Sequence, residues 1–157
     1  MSEPEKRNMK YPRIRVSVIV IQEGKILLVQ HEKQGKTYWV LPGGGVDFGE
    51  TLEEAVVREL KEETNLDITV EKLVFVDDFI PEDRHRHVVD LYFTAKVVSG
   101  ELKLGADSIM REVRYFPIEE LAELTLYPKI ADRIVEAYQQ GFAGSALYLG
   151  NVNDWGR

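Results

Sequence analysis

Polar and apolar residues begin to alternate regularly at residue 13. In RIRVSVIVI, Arg13, Arg15 and Ser17 alternate with Ile14, Val16 and Val18, a period of two that predicts a β-strand. After the turn signal Glu23-Gly24, the apolar run GKILLVQHE completes a predicted β-hairpin. YWVL reads as a short strand that stops at Pro42. PGGGVDFGET is then a glycine-rich loop leading into a helical pattern, and Thr51 with Glu54 three positions later forms a capping box, so a helix should start near Thr51. DITVEKLVFVDDFI and HVVDLYFTAKVV predict two longer strands separated by the polar loop PEDRHR, and EVRYF predicts another. PIEELAEL and PKIADRIVEAYQQG predict helices, the first opening on a proline and the second ending at Gly141. Strands on both sides of a central helix, followed by C-terminal helices, predict an α/β fold with a mixed sheet between helices.

These elements divide the chain into a loose polar tail over residues 1–12, one domain over 13–141, and a C-terminal tail over 142–157. That last tail carries Tyr148, Leu149 and Trp155, and is expected to pack along the domain or on a partner subunit, which leaves a homodimer open. At 157 residues with 44% apolar composition, the chain can bury one real core. No run approaches the roughly 18 consecutive apolar residues of a membrane span, and MSEPEKRNMK is too polar for a signal peptide, so a cytoplasmic protein without membrane contact is expected. The absence of cysteine rules out disulfides, thiolate zinc sites and a thiol nucleophile, leaving oxygen and imidazole as metal ligands. A net charge of −7 disfavours a nucleic acid polymer as partner and favours a small ligand.

The densest chemistry lies in RELKEETNL, residues 58–66, where Glu59, Glu62 and Glu63 crowd together with only Arg58 and Lys61 nearby as cations. At about 100° per residue the three acids project into roughly the same sector as Leu52, Ala55, Val56 and Leu66, whereas Lys61, Glu54 and Val57 lie toward the other face. Carboxylates at this spacing repel, and partial burial adds a desolvation cost, so they need a cation to stay ionised. Mg²⁺ takes carboxylate oxygens, keeps several waters and commonly completes its shell with substrate phosphates. Gly43, Gly44 and Gly45 just ahead of the helix let backbone approach a ligand closely.

Read together, Gly44 and GVDFGETLEEAVVRELKEETNL resemble the signature of the Nudix hydrolases, G-x5-E-x7-R-E-U-x-E-E-x-G-U, with U an aliphatic residue. Gly44, Glu50, Arg58, Glu59, Leu60, Glu62, Glu63 and Leu66 all fall in register; the one departure is Asn65 in place of the usual glycine. Asn is the next best residue for a left-handed helix cap, so little functional loss is expected. The resemblance implies a Nudix-like α/β/α sandwich and a Mg²⁺-dependent hydrolase, with Mn²⁺ as an alternative ion, that cleaves the pyrophosphate of a nucleoside diphosphate linked to another group. It further implies that Glu59, Glu62, Glu63 and the Gly44 carbonyl are metal ligands, that Arg58 orients the carboxylates, and that Glu50 anchors the loop by pairing with Arg58. For the general base, Glu62 within the cluster, Glu112 in MREVRYF and Asp107 in GADS are the candidates.

The group beyond the pyrophosphate is less legible. Tyr38, Trp39, Phe48, Phe79 and Tyr92 are aromatic candidates for stacking, with core packing the commoner role for such residues. Arg84 and His87 bracket RHRH, which could touch a terminal or ribose phosphate. Pro81, fifteen positions after Leu66, resembles the proline of family members acting on ADP-ribose, and a nucleotide sugar or a nucleoside triphosphate, with an ordinary or an oxidised base, remains in view. The alternative from another class is a nucleotide-sensing domain of the same fold that does not hydrolyse its ligand.

Overall fold

The computed structural model describes residues 10–153. The expectations for the first nine residues and for Trp155 lie outside them. The strands are β1 Arg13–Gln22, β2 Lys25–Lys33, β3 Lys36–Val40, β4 Gly43–Gly45, β5 Asp67–Phe79, β6 Val88–Ser99, β7 Met110–Pro117 and β8 Leu147–Asn151. Helix α1 spans Leu52–Thr64, a 3₁₀ helix spans Ile118–Glu123, and α2 spans Ala131–Gln139.

The strands form one mixed sheet in the order β3-β2-β1-β6-β5-β8, with β4 alongside β1 and β7 alongside β2. The hairpin pairs β1 with β2 only at Ile21–Ile26 and Gln22–Lys25 before the strands part. Into that opening the glycine stretch enters as β4, pairing Arg15, Val16 and Ser17 with Gly45, Gly44 and Gly43. On its other side β1 runs parallel to β6 from Arg13–Val88 to Val20–Ala95.

Period-two alternation along β1 explains why both faces of the sheet are covered. Val16, Val18 and Val20 pack with Ala55, Val56 and Leu60 of α1, whereas Ile19, on the other face, packs with Trp39, Phe75, Tyr92, Leu121 and Ile134 beneath the C-terminal helices. The result is the expected α/β/α sandwich.

PIEELAEL closes into a 3₁₀ helix of six residues instead of a longer α-helix. The backbone after it is claimed by β3: Trp39 N–H donates to the Thr125 carbonyl at 2.8 Å and Tyr127 N–H to the Trp39 carbonyl at 2.9 Å. That pairing also delays α2, which begins at Ala131 and not at Pro128. Residues 147–151 add β8 in parallel to the outer edge of β5.

Candidate active site

Helix α1 is held at both ends. Thr51 Oγ1 accepts the Glu54 N–H at 3.1 Å, and the Glu54 carboxylate accepts the Thr51 N–H at 3.3 Å, a complete capping box. At the other end Asn65 adopts the left-handed conformation at φ 64°, and its side-chain amide donates to the Glu101 carbonyl at 2.8 Å. The loop after β6 caps two more carbonyls: Lys103 N–H donates to Thr64 and Gly105 N–H to Glu63, both at 3.0 Å.

The three crowded carboxylates do not share one environment. Burial grades them: the Glu59 side chain is 12% exposed and that of Glu62 is 60% exposed. Glu63 is partly buried, and its Oε1 accepts the Gly43 N–H at 2.7 Å. Helix α1 therefore presents Glu63 to the interior, Glu59 to the glycine strand and Glu62 to the rim, which corrects the reading of a common inward sector. Burial pushes the Glu63 carboxyl up to about 8, with the charges of Glu59 and Asp107 adding to the rise. Glu59 is also raised by burial, against the pull of Arg58.

Arg58 organises the rim. Its Nε and Nη2 donate to the two oxygens of Glu50 at 2.7 and 2.9 Å, a fork-on-fork pair that lowers Glu50 to about 2. Nη1 donates to Glu59 at 2.8 Å and reaches Glu62 at 3.4 Å, and Nη2 also donates to the Gly45 carbonyl at 2.9 Å. One guanidinium thus ties the loop, the helix and β4 together. At Gly44 a built Cβ would lie 2.5 to 2.6 Å from the Glu59 carboxyl group, so only glycine permits this approach.

The donor set suits a hard divalent cation: oxygen only, with a partly buried carboxyl, Glu63, that among the described residues bonds to a backbone N–H and to no cationic side chain. Among the described residues, no three acidic or imidazole groups converge on one point with the side chains as they stand. Arg58 holds Glu59, and the Gly43 N–H holds Glu63. Glu62, on the exposed rim, meets only the longer contact with Arg58 at 3.4 Å among the described residues.

The other sequence candidates separate. Glu112 lies on β7 with its carboxylate 3.0 Å from Arg114, and among the described residues no hydrogen bond or ion pair joins it to the three glutamates; Asp107 is an acid whose charge reaches Glu63. Trp39 is 7% exposed, packed edge-on against Phe116 with Arg114 over its ring, so it belongs to the core and offers no face to a ligand. Phe48 is fully exposed in the loop. Phe79 is buried beneath Arg86. Arg84 sits exposed in a turn at φ 55°, and His87 Nε2 lies 2.7 Å from Asp78.

One buried polar group escaped the sequence reading. Asp90 accepts the Ser17 hydroxyl, with Arg15 3.5 Å away, while Asp77, its register partner on β5, accepts the Tyr92 hydroxyl at 2.7 Å. Burial pushes Asp90 up to about 7 and Asp77 to about 6. A signal existed: Asp77 falls in phase with Phe75 and Phe79, and Asp90 with Tyr92 and Thr94, where alternation reserves places for core residues.

The sheet order, the glycine strand and the capped acidic helix match what comparison with known proteins finds. The NUDIX domain model matches residues 11–138. The ADP-ribose pyrophosphatase of Methanocaldococcus jannaschii is 36% identical over 146 residues, covering 87% of this chain and 82% of that protein. The NAD-capped RNA hydrolase NudC of Pectobacterium carotovorum is 34% identical over 129 residues, and the match spans 80% of this chain but only 47% of that longer protein. The solved structure of a NUDIX hydrolase from Nitrosomonas europaea superposes with a TM-score of 0.74 at 25% identity, covering 94% of this chain and 82% of that one. Enzymes of this family are typically dependent on a divalent metal. No helix among the described residues is long and apolar enough to cross a membrane. The chain belongs to the Nudix hydrolase family and is a pyrophosphohydrolase acting on nucleotide derivatives.

Proposed function

We propose that the protein is a Mg²⁺-dependent hydrolase of ADP-ribose or a closely related nucleoside diphosphate conjugate. The observation that carries the reaction is the junction of Glu63 with Gly43 and of Glu59 with Gly44, which sets two carboxylates, one bonded to a backbone N–H and one to Arg58, against a backbone without side chains. The substrate assignment is supported by the 36% identity with the methanogen ADP-ribose pyrophosphatase along most of both chains.

In this reading Glu59, Glu62, Glu63 and the Gly44 carbonyl hold the ion. When bound, Mg²⁺ offsets charge on the diphosphate and lowers the pKa of an attacking water. Arg58 is a positioning residue: pinned to Glu50, it fixes the direction of Glu59 and limits the swing of Glu62. Glu62, the exposed member, is the group we assign to draw a proton from water approaching from solvent. Phe48, exposed on the loop beside this strand, is free to cover a bound base.

A hydrolysis panel in Mg²⁺ and in Mn²⁺ tests this, comparing ADP-ribose, other nucleotide sugars, plain and oxidised nucleoside triphosphates and dinucleoside polyphosphates, with products resolved by chromatography. Preferred cleavage of ADP-ribose to AMP and ribose 5-phosphate is expected. Cleavage confined to triphosphates would overturn the substrate, and nucleotide binding without any turnover would make the chain a sensor.

A further inference from the structure

The chain carries a net charge of −7, yet one groove of about 470 Å³ is bordered by Lys10, Arg13, Arg84 and Arg86, with His85 and His87 in its wall. Acidic side chains account for the two imidazoles, Asp83 for His85 and Asp78 for His87. Among the described residues, the charged heads of Lys10, Arg13 and Arg84 have no acidic partner. Arg86 lies over the Phe79 ring at 4.8 Å, a cation–π contact made through the ring face. Four cations gathered on an acidic molecule repel one another unless an anion lies between them.

The groove joins the active site. The backbone N–H of Arg13 donates to the His87 carbonyl at 2.9 Å, so the end of β1 forms part of its floor. The Arg13 guanidinium lies 3.6 Å from where a Cβ on Gly45 would stand, and the carbonyl of that same Gly45 accepts from Arg58. Gly45 therefore separates two guanidinium groups: Arg58, committed to the carboxylates, and Arg13, open to the groove.

We propose that this groove is an anion subsite for a phosphate monoester that the substrate carries beyond its scissile diphosphate, so that the enzyme favours phosphorylated nucleoside diphosphate conjugates over their unphosphorylated counterparts. The subsite rests on the reading of the carboxylate and glycine cluster as the place of cleavage. Arginine forks suit a phosphate, which accepts two parallel hydrogen bonds from each. The groove has room for a small anionic group, and the overall negative charge opposes a long nucleic acid strand beyond it.

Calorimetry in EDTA with two matched pairs decides the matter: ADP-ribose against ADP-ribose 2′-phosphate, and dephospho-coenzyme A against coenzyme A. The wild-type chain should bind the phosphorylated member of at least one pair ten times or more tightly, less so in high salt. In the double variant Arg13→Gln, Arg84→Gln that preference should fall below twofold, while Arg13→Lys, Arg84→Lys should keep part of it. Both side chains are exposed, and melting curves verify that each variant folds. Equal affinities within both pairs, no binding of any of the four compounds, or a preference that survives the glutamine variant would overturn the subsite. So would a groove-dependent gain seen only with an NAD-capped oligonucleotide. Since EDTA removes catalysis from the readout, failed hydrolysis with the preference intact strikes only the catalytic reading.

Discussion

At the scale of single residues, the site is defined by how closely a backbone without Cβ atoms approaches carboxylates. Gly44→Ala places a methyl group 2.5 Å from the Glu59 carboxyl, which Arg58 prevents from swinging freely away. A displacement of about 1 Å at a reacting centre can cost roughly 100-fold in rate, so we expect kcat to fall by that order with a small change in melting temperature. Initial rates alongside melting curves check this, and wild-type kcat in the variant would separate β4 from the chemistry. Glu63→Gln makes a complementary point. The amide oxygen can still accept the Gly43 N–H, and the substitution removes a partly buried ionisable group that resists charging until about pH 8. Turnover should therefore drop by orders of magnitude while thermal stability in metal-free buffer holds or rises. A variant that loses both would show Glu63 to be chiefly structural.

At the scale of elements, the position of Glu62 and Glu63 depends on how α1 is finished. A Cβ on Gly105 would stand 2.2 Å from the Glu62 carbonyl, and the Gly105 N–H caps the carbonyl of Glu63. Gly105→Ala must push the loop away from the helix end, so both melting temperature and kcat should decline, the former by an amount matching about 1 to 3 kcal/mol for an unpaired carbonyl. Asn65→Gly should shift stability by less than about 1 kcal/mol, since relief of the left-handed conformation offsets loss of the bond to Glu101. A large loss there would give Asn65 a role beyond capping. These ends were legible in the sequence because capping is local chemistry: Thr51, Glu54 and Asn65 announce it within a few residues. The hairpin and the long strands were legible for the same reason. The shortened 3₁₀ helix was not, because Trp39, some 80 positions upstream in the chain, takes the backbone that would have extended it. Nor was β8, whose five residues include Gly150 at φ 78° and gain their partner only from the edge of β5. Within the site, periodicity grouped the three glutamates, but a helix meets a sheet along a line and not across a sector, which is why Glu62 ends on the rim.

At the scale of the whole molecule, the buried acids between β5 and β6 make stability depend on pH. Asp90 rises from 3.8 to about 7, chiefly through burial, with Arg15 and the Ser17 hydroxyl pulling the other way; Asp77 rises to about 6 despite the Tyr92 hydroxyl. An acid whose pKa is raised on folding binds more protons in the native than in the unfolded chain between those two values, so its contribution to stability falls as pH climbs from about 4 to about 7. Glu63, raised to about 8, acts in the same direction. Glu50 and Asp78 are lowered, and the stability they add is lost only as pH drops below the ordinary carboxylate range, outside the window of interest. His31, lowered by burial, opposes the trend near its ordinary value of 6.5. Asp90→Asn isolates one contributor: the amide can still accept from Ser17, loses only the long contact with Arg15 at 3.5 Å, and never ionises. Melting temperatures at pH 5, 6, 7 and 8 in metal-free buffer should decline more steeply for the wild-type chain than for the variant, which gains relative stability toward pH 8. Parallel curves would mean that Asp90 is held charged by Arg15 across the range, and that the pair functions as a buried ion pair tying the start of β1 to β6.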